Sequence, residues 1–293
     1  MGAMISEERL EFPVCPFCGG DRREVRYGGF GEFKIVRCSD CSVHYLFPRL
    51  TETAMQAAYR SGEYFAGGEL GYADSSYAEQ EPALRATFRR LLRNLEKHQL
   101  TGGDLLEIGC GYGFLLDEAR GFFRSRTGLE MSHEAAAIAS QRADRVYEGG
   151  LEQLPPGEKF DCIVATHVIE HVYDPVTFVK DLVSRTRTNG KIVFATPDMN
   201  SPLRKLMGRR WPSFKIPEHI LYFDAKTLSD LMTKAGLQDV RTLPYPHAFP
   251  LSLIASKLHL PIPRAMGKLN VWVPTTTVAA YGSAGSLSRA GAG

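Results

Sequence analysis

Long hydrophobic runs are missing from this 293-residue chain: no apolar stretch approaches the roughly 20 residues that a membrane-spanning helix requires. The charged-then-apolar pattern of a secretory signal is also missing from MGAMISEERLEF, so a cytoplasmic protein is expected. Met1–Met4 read as an appended start and carry no weight in the fold reading. The net charge of only +2 supplies no global field to draw nucleic acid, so any charged partner must be met by a local cluster. No internal repeat is seen. What is present is an ordinary globular composition, 44% hydrophobic and 23% charged, able to bury a large core. The length suits one large domain with a small appendage.

Cysteine is scarce except at the start, where Cys15, Cys18, Cys38 and Cys41 stand as C-P-F-C and C-S-D-C with nineteen residues between the pairs. Paired C-x2-C spacing is that of a zinc ribbon, in which each pair turns two thiolates onto one tetrahedral ion. Thiolate donors in a reducing compartment favour Zn2+ over disulfides or iron. A filled set of four ligands makes the ion structural. His44, beside the second pair, is not needed as a ligand and reads as an exposed strand residue. The ribbon is placed at 11–50.

Residues 51–100 read as a helical cover or linker. TETAMQAAYR and EPALRATFRRLLRNLEKH carry helical spacing, with Leu84, Phe88, Leu91, Leu92 and Leu95 on one stripe. Between them Tyr64, Phe65, Tyr72 and Tyr77 lie in a Gly- and Ser-rich stretch that reads as a loop or a cover of packing aromatics. From Asp104 onward strand-like runs (DLLEIG, RTGLEM, RVYEGG, FDCIVATHV, GKIVFATP) alternate with helical stretches. This rhythm predicts an α/β domain over 101–293, a doubly wound, mostly parallel sheet with its ligand beyond the carboxyl ends of the strands.

The first strand ends in G-C-G-Y-G, Gly109 to Gly113, which lacks the spacing of the dinucleotide fingerprint G-x-G-x-x-G. Glu107, two residues before the loop, would repel a pyrophosphate. A cationic ligand suits it better, and Glu130 at the end of the second strand is placed to accept ribose hydroxyls. A ligand with ribose and no phosphate is implied.

Through LLEIGCGYG, GLEMS and FDCIVATHVIEHVYDP the chain resembles the class I S-adenosylmethionine-dependent methyltransferases over most of residues 59–243. The resemblance implies a Rossmann-like fold, with Glu107, Gly109, Cys110, Gly111 and Gly113 around the methionine part of the cofactor and Glu130 on the ribose. Met131, Gly150 and Leu151 would contact the adenine, and Thr166 and His167 would border the methyl. The ribbon followed by HYLFPRLTETAMQAAYRSGEYF resembles a bacterial subgroup with a zinc ribbon ahead of the methyltransferase domain. It acts on small molecules of surface-sugar, lipid or secondary metabolism.

A hydroxyl acceptor is favoured, and a base is then needed near the methyl, for which His219, His167 and His171 are the candidates. H-V-I-E-H also resembles the E-x-x-E-H stretch that holds a divalent ion in some methyltransferases, with His167 in place of the leading Glu. A second metal on His167, Glu170, His171 and His219 is one reading. In the other, Glu170 and His171 open the next helix, with Asp174 as its cap ahead of Pro175. Acids are missing between Asp198 and Glu218, while Arg204, Lys205, Arg209, Arg210 and Lys215 are present. This insertion, near 198–220, is expected to cover the acceptor, with Leu203, Leu206, Met207 and Trp211 as an apolar face. It suits an anionic or lipid-like small molecule or a peripheral membrane contact. A zinc-ribbon protein that binds RNA or a partner, and an RNA methyltransferase, are the alternatives. The near-zero net charge and the lack of an N-P-P-Y-type strand end argue against nucleic acid as the acceptor.

Overall fold

The structure, a computed structural model, describes residues 9–60, 79–257, 261, 263, 266–267 and 269–285. Tyr64, Phe65, Tyr72 and Tyr77 lie outside the described residues. Among the described residues, no helix is long and apolar enough to cross a membrane.

The amino-terminal unit is built on three antiparallel strands, β2 (Arg23–Phe30), β3 (Phe33–Cys38) and β4 (His44–Phe47), with β1 (Leu10–Glu11) paired to β5 (Arg49–Leu50) alongside. Two tight turns carry the cysteine pairs. Gly19 donates to the Cys15 carbonyl and Ser42 to that of Cys38, with Gly19 at φ +78 and Ser42 at φ +70. His44 is half-buried on β4, and burial together with Arg37 and Arg26 lowers its imidazole to about 4. It is thus less exposed than its position in the sequence suggests. Helices α1 (Glu52–Arg60) and α2 (Glu81–Lys97) follow, and the whole predicted stripe from Leu84 to Leu95 is buried.

The larger sheet has seven strands: β6 (Asp104–Ile108), β7 (Ser125–Glu130), β8 (Arg145–Glu148), β9 (Phe160–Thr166), β10 (Thr186–Pro197), β12 (Leu237–Leu243) and β15 (Thr277–Ala284). Their order is β12-β15-β10-β9-β6-β7-β8, parallel except for β15, which is antiparallel to both its neighbours. Alternating side chains explain the two covered faces. Leu105 points into the layer holding α2 and α3 (Phe114–Glu118), while Leu106 points into the layer of α5 (Pro175–Ser184) and α7 (Ala225–Lys234). The chain runs outward from β6 through β7 to β8 and returns at β9. The strand order therefore switches between β6 and β9, where a ligand crevice forms in open α/β sheets.

Two excursions leave the sheet. Residues 198–224 contain α6 (Pro202–Met207) and β11 (Leu221–Tyr222), and β11 adds itself to β4 as a fourth strand of the amino-terminal sheet. Apolar residues of the ribbon, such as Ile35 and Leu46, accordingly share one buried cluster with Phe223 and Leu228. The predicted apolar face of the insertion is divided: Trp211 is buried, its ring 5.1 Å from Phe214, whereas Leu206 is 85% exposed. The second excursion holds β13 (His247–Pro250), α8 (Leu251–Lys257) and β14 (Asn270–Val273), and it packs on α2 through a hydrogen bond from the Ala248 amide to Thr87.

Candidate functional site

The loop after β6 bends through three left-handed residues, Gly109, Gly111 and Gly113, at φ +65, +52 and +74. A Cβ on Gly109 would come 2.9 Å from Val168 Cγ2, and one on Gly113 3.0 Å from Ala139 Cα in α4 (His133–Ala139). The loop is tied to the end of β7, since Cys110 N donates to the Leu129 carbonyl and Gly111 N to one Glu130 oxygen at 2.8 Å. The other Glu130 oxygen accepts from Ser132 N at 2.9 Å. The Cys110 side chain is buried and turned inward, against Gly128, where a Cβ would meet its sulfur at 2.7 Å. Gly128 was not singled out from the sequence because it sits mid-strand, away from any turn signal. Gly111→Val should weaken S-adenosylmethionine binding by at least about 10-fold, since a branched residue is strained in this conformation. Glu130→Ala should weaken it as well, with calorimetry as the measurement.

Beside the loop opens a cleft of about 510 Å³ lined by Gly109, Glu130, Met131, Gly150, Leu151 and His171 among the expected residues. Glu107, Cys110, Gly111, Gly113, Thr166, His167 and His219 do not line it. Residues that sequence reasoning missed form the far wall: Tyr173, Phe178 and the acids Glu52, Glu152, Asp174 and Asp181. Asp174 and Pro175 were legible only as a helix start, and Asp174 does accept from Thr177 N at 3.0 Å. With Glu130, five carboxylates face this cleft and none of its lining residues is Lys or Arg. That potential repels a pyrophosphate and favours a cation.

Glu107 lies fully buried beneath the loop, with Oε2 lacking a hydrogen-bond partner among the described residues. Burial, and then the charge of Glu130, push its carboxyl well above the usual range, and burial raises Glu130 too. A buried acid whose ionisation is disfavoured by burial and by a neighbouring carboxylate is relieved by an incoming positive group. The donor set therefore suits the cationic methionine part of S-adenosylmethionine. Binding should release protons, because both carboxyls fall in pKa when a cation arrives, and affinity should therefore weaken as pH is lowered. Calorimetry in buffers of different ionisation enthalpy measures the release directly.

At the carboxyl end of β9 the chain turns at His167, in the left-handed region at φ +57, and its amide donates to the Ala195 carbonyl. Its Nδ1 lies 3.2 Å from Glu170, and its buried Nε2 has no partner among the described residues. Glu170 does not hydrogen-bond a helix end. It sits in a short turn, Ile169–His171, and its second oxygen accepts from Thr196 at 3.0 Å. Burial works to raise its carboxyl, but the His167 hydrogen bond helps bring it down to about 2. His171 Nδ1 donates to the Glu218 carbonyl at 3.0 Å and His219 Nδ1 to that of Ser213 at 2.9 Å, which puts the lone pair of each ring on Nε2. Burial lowers both imidazoles, which favours their neutral forms. The rings stand perpendicular, 4.7 Å apart, and donor atoms of Glu170, His171 and His219 all lie within 4.8 Å of one another. His247 on β13, another residue the sequence reading passed over, lies 5.8 Å from the His167 ring.

His219 is brought to this cluster by two backbone bonds at its neighbour: Ile220 N donates to the Glu170 carbonyl and its own carbonyl accepts from Leu46 N of β4, each at 2.9 Å. The ribbon therefore braces the segment that carries His219.

The four amino-terminal cysteines also converge. Cys15 and Cys41 sulfurs are 3.5 Å apart, as are those of Cys18 and Cys38, and all four lie within 4.8 Å. All are free thiols. A tetrahedral ion at about 2.3 Å from each sulfur requires edges of about 3.8 Å, so the set suits Zn2+ with little adjustment.

A sequence profile described as a methyltransferase domain matches residues 77–242. A ubiquinone biosynthesis O-methyltransferase of Bradyrhizobium diazoefficiens is 29% identical over 138 residues, 45% of this chain and 51% of that protein. A probable S-adenosylmethionine-dependent methyltransferase of Mycolicibacterium smegmatis is 32% identical over 149 residues, 50% of this chain and 56% of that protein. The chain spans about half the length of these curated relatives. Among solved structures, magnesium protoporphyrin IX methyltransferase from Synechocystis, with bound S-adenosylhomocysteine, aligns over 80% of this chain and 99% of that one, with a TM-score of 0.51 at 12% identity. A methyltransferase from Thermotoga maritima, a possible histamine N-methyltransferase, aligns over 70% and 90%, with a TM-score of 0.50 at 20% identity. With the profile spanning more than half of the sequence and the sheet order matching the expected fold, this chain belongs to the methyltransferase-domain family, as a class I S-adenosylmethionine-dependent member.

Proposed function

We propose that the chain transfers the methyl group of S-adenosylmethionine to a hydroxyl of a small molecule. The observation that carries this reading is the convergence of Glu170, His171 and His219 at the end of β9, next to a cleft lined by five acidic residues. The O-methyltransferase named among the relatives supports the choice of oxygen. In this reading Gly109, Gly111 and Gly113 approach the methionine part, Glu107 favours its positive charge from beneath the loop, and Glu130 takes the ribose hydroxyls. Met131, Gly150 and Leu151 meet the adenine, and Thr166 and His167 border the methyl. Zn2+ on Cys15, Cys18, Cys38 and Cys41 keeps the ribbon folded.

The sulfonium is already a good leaving group, so the protein's task is to hold the acceptor oxygen in line and to remove its proton. As the O–C bond forms and the S–C bond breaks, His167 Nε2 takes the hydroxyl proton, with Glu170 bound to Nδ1–H and holding the ring in the required tautomer. Glu170, His171 and His219 would hold a first-row divalent ion, the two rings oriented by the Glu218 and Ser213 carbonyls that accept from Nδ1, as such hydrogen bonds orient metal-bound imidazoles. Such an ion, when bound, supplies a Lewis acid that makes a nearby hydroxyl more acidic. His219, expected from its place after the insertion to act as the base, is on this reading a ligand instead.

Incubation with methyl-labelled S-adenosylmethionine and a panel of phenols and alcohols tests the reading. Label should appear in an alkali-stable ether and fall when divalent ions are chelated. Label found only on nitrogen or carbon acceptors would overturn the choice of oxygen.

A further inference from the structure

Basic residues of two segments far apart in sequence, the β2–β3 hairpin and the 198–220 insertion, form one surface in the fold. Arg204 donates to the Tyr27 hydroxyl, and the Arg209 guanidinium comes within 3.0 Å of where a Cβ on Gly29 would stand. Phe214 seals the seam from within, its ring 5.1 Å from Tyr27 and 6.0 Å from Phe30. Outside the seam Arg26, Lys205, Arg209 and Arg210 are all exposed, and among the described residues only Arg26 of these has an ion-pair partner, Glu24 at 3.6 Å. Leu206, which follows Lys205 and precedes Arg209 and Arg210 in the chain, is 85% exposed.

We propose that this face docks on an anionic lipid surface, with the cations on phosphate headgroups and Leu206 entering the interfacial layer. An exposed aliphatic side chain on a segment rich in cations is the arrangement of an interfacial element. Single-stranded RNA would call for exposed aromatic platforms. Here Tyr27 and Phe30 pack against Phe214, and Phe33 is buried. The charges alone, near such a surface, contribute enough that removing two of them is measurable.

The experiment is sedimentation of the full zinc-loaded chain with vesicles of phosphatidylcholine and phosphatidylglycerol in equal parts, against phosphatidylcholine alone. Binding is expected on the anionic vesicles only, declining with added salt. Arg209→Ala with Arg210→Ala should weaken it by about 30-fold. Leu206→Ser, at an exposed position with no packing to lose, should weaken it also, and both variants should keep wild-type S-adenosylmethionine affinity as a check on folding. Failure of the wild type to sediment with anionic vesicles overturns the proposal. So does undiminished binding by either variant, or retention of single-stranded RNA without vesicle binding.

Discussion

Replacing His219 by alanine is expected to lower turnover by at least about 100-fold while S-adenosylmethionine affinity stays at the wild-type value. The two readouts separate because the cofactor cleft is lined by β6, β7 and α5, whereas His219 stands behind His171, outside the lining. The same variant should lose divalent-ion binding, followed with Co2+ by visible absorption, because two of three donors cannot hold the ion against water. His219→Gln retains a hydrogen bond to the Ser213 carbonyl without the imidazole lone pair, and should behave as the alanine variant does. Near-normal turnover in both would remove His219 from the chemistry and return it to anchoring the insertion.

The second large effect is expected from the ribbon. Elemental analysis should find about one zinc per chain, and Cys18→Ser should lower both zinc content and stability. The consequence should extend to the larger domain. Cys38 and Cys41 set the turn into β4, and β4 holds Ile220 through Leu46 N and pairs with Leu221 and Tyr222. Loosening that strand loosens the next residue back, His219, so turnover should fall by about 10- to 100-fold, the scale seen when the support of a metal ligand is removed. Cofactor affinity should change little, because Glu130 and the glycine loop are held by β7. A zinc-free variant with unchanged turnover would make the ribbon a separate appendage.

Much of this arrangement was legible in local patterns. The glycine spacing, the acids two residues before the loop and at the end of β7, and the paired cysteines each follow from short-range chemistry. The alternation of strands and helices anticipated the sheet. Contacts made over long sequence distances were not legible. β11 is two residues long and carries no strand signal, yet it joins the ribbon to the insertion through a pairing across about 175 positions. Trp211 reads as part of the apolar face of the insertion, but it is buried, packed against Phe214. From sequence Glu170 and His171 read first as a helix opening, because neither the Thr196 hydroxyl nor the Ser213 and Glu218 carbonyls can be placed from spacing. The acids of the cleft wall, Glu52, Asp174 and Asp181, come from separate elements, so no motif links them.

S-adenosylmethionine is expected to occupy the carboxylate-walled cleft beside the glycine loop. Calorimetric titration of the purified chain with S-adenosylmethionine, and separately with NAD, tests it most directly. Single-site binding of S-adenosylmethionine with proton release, lost in Gly111→Val, is expected, with no heat from NAD. Tight NAD binding with no response to S-adenosylmethionine would contradict it.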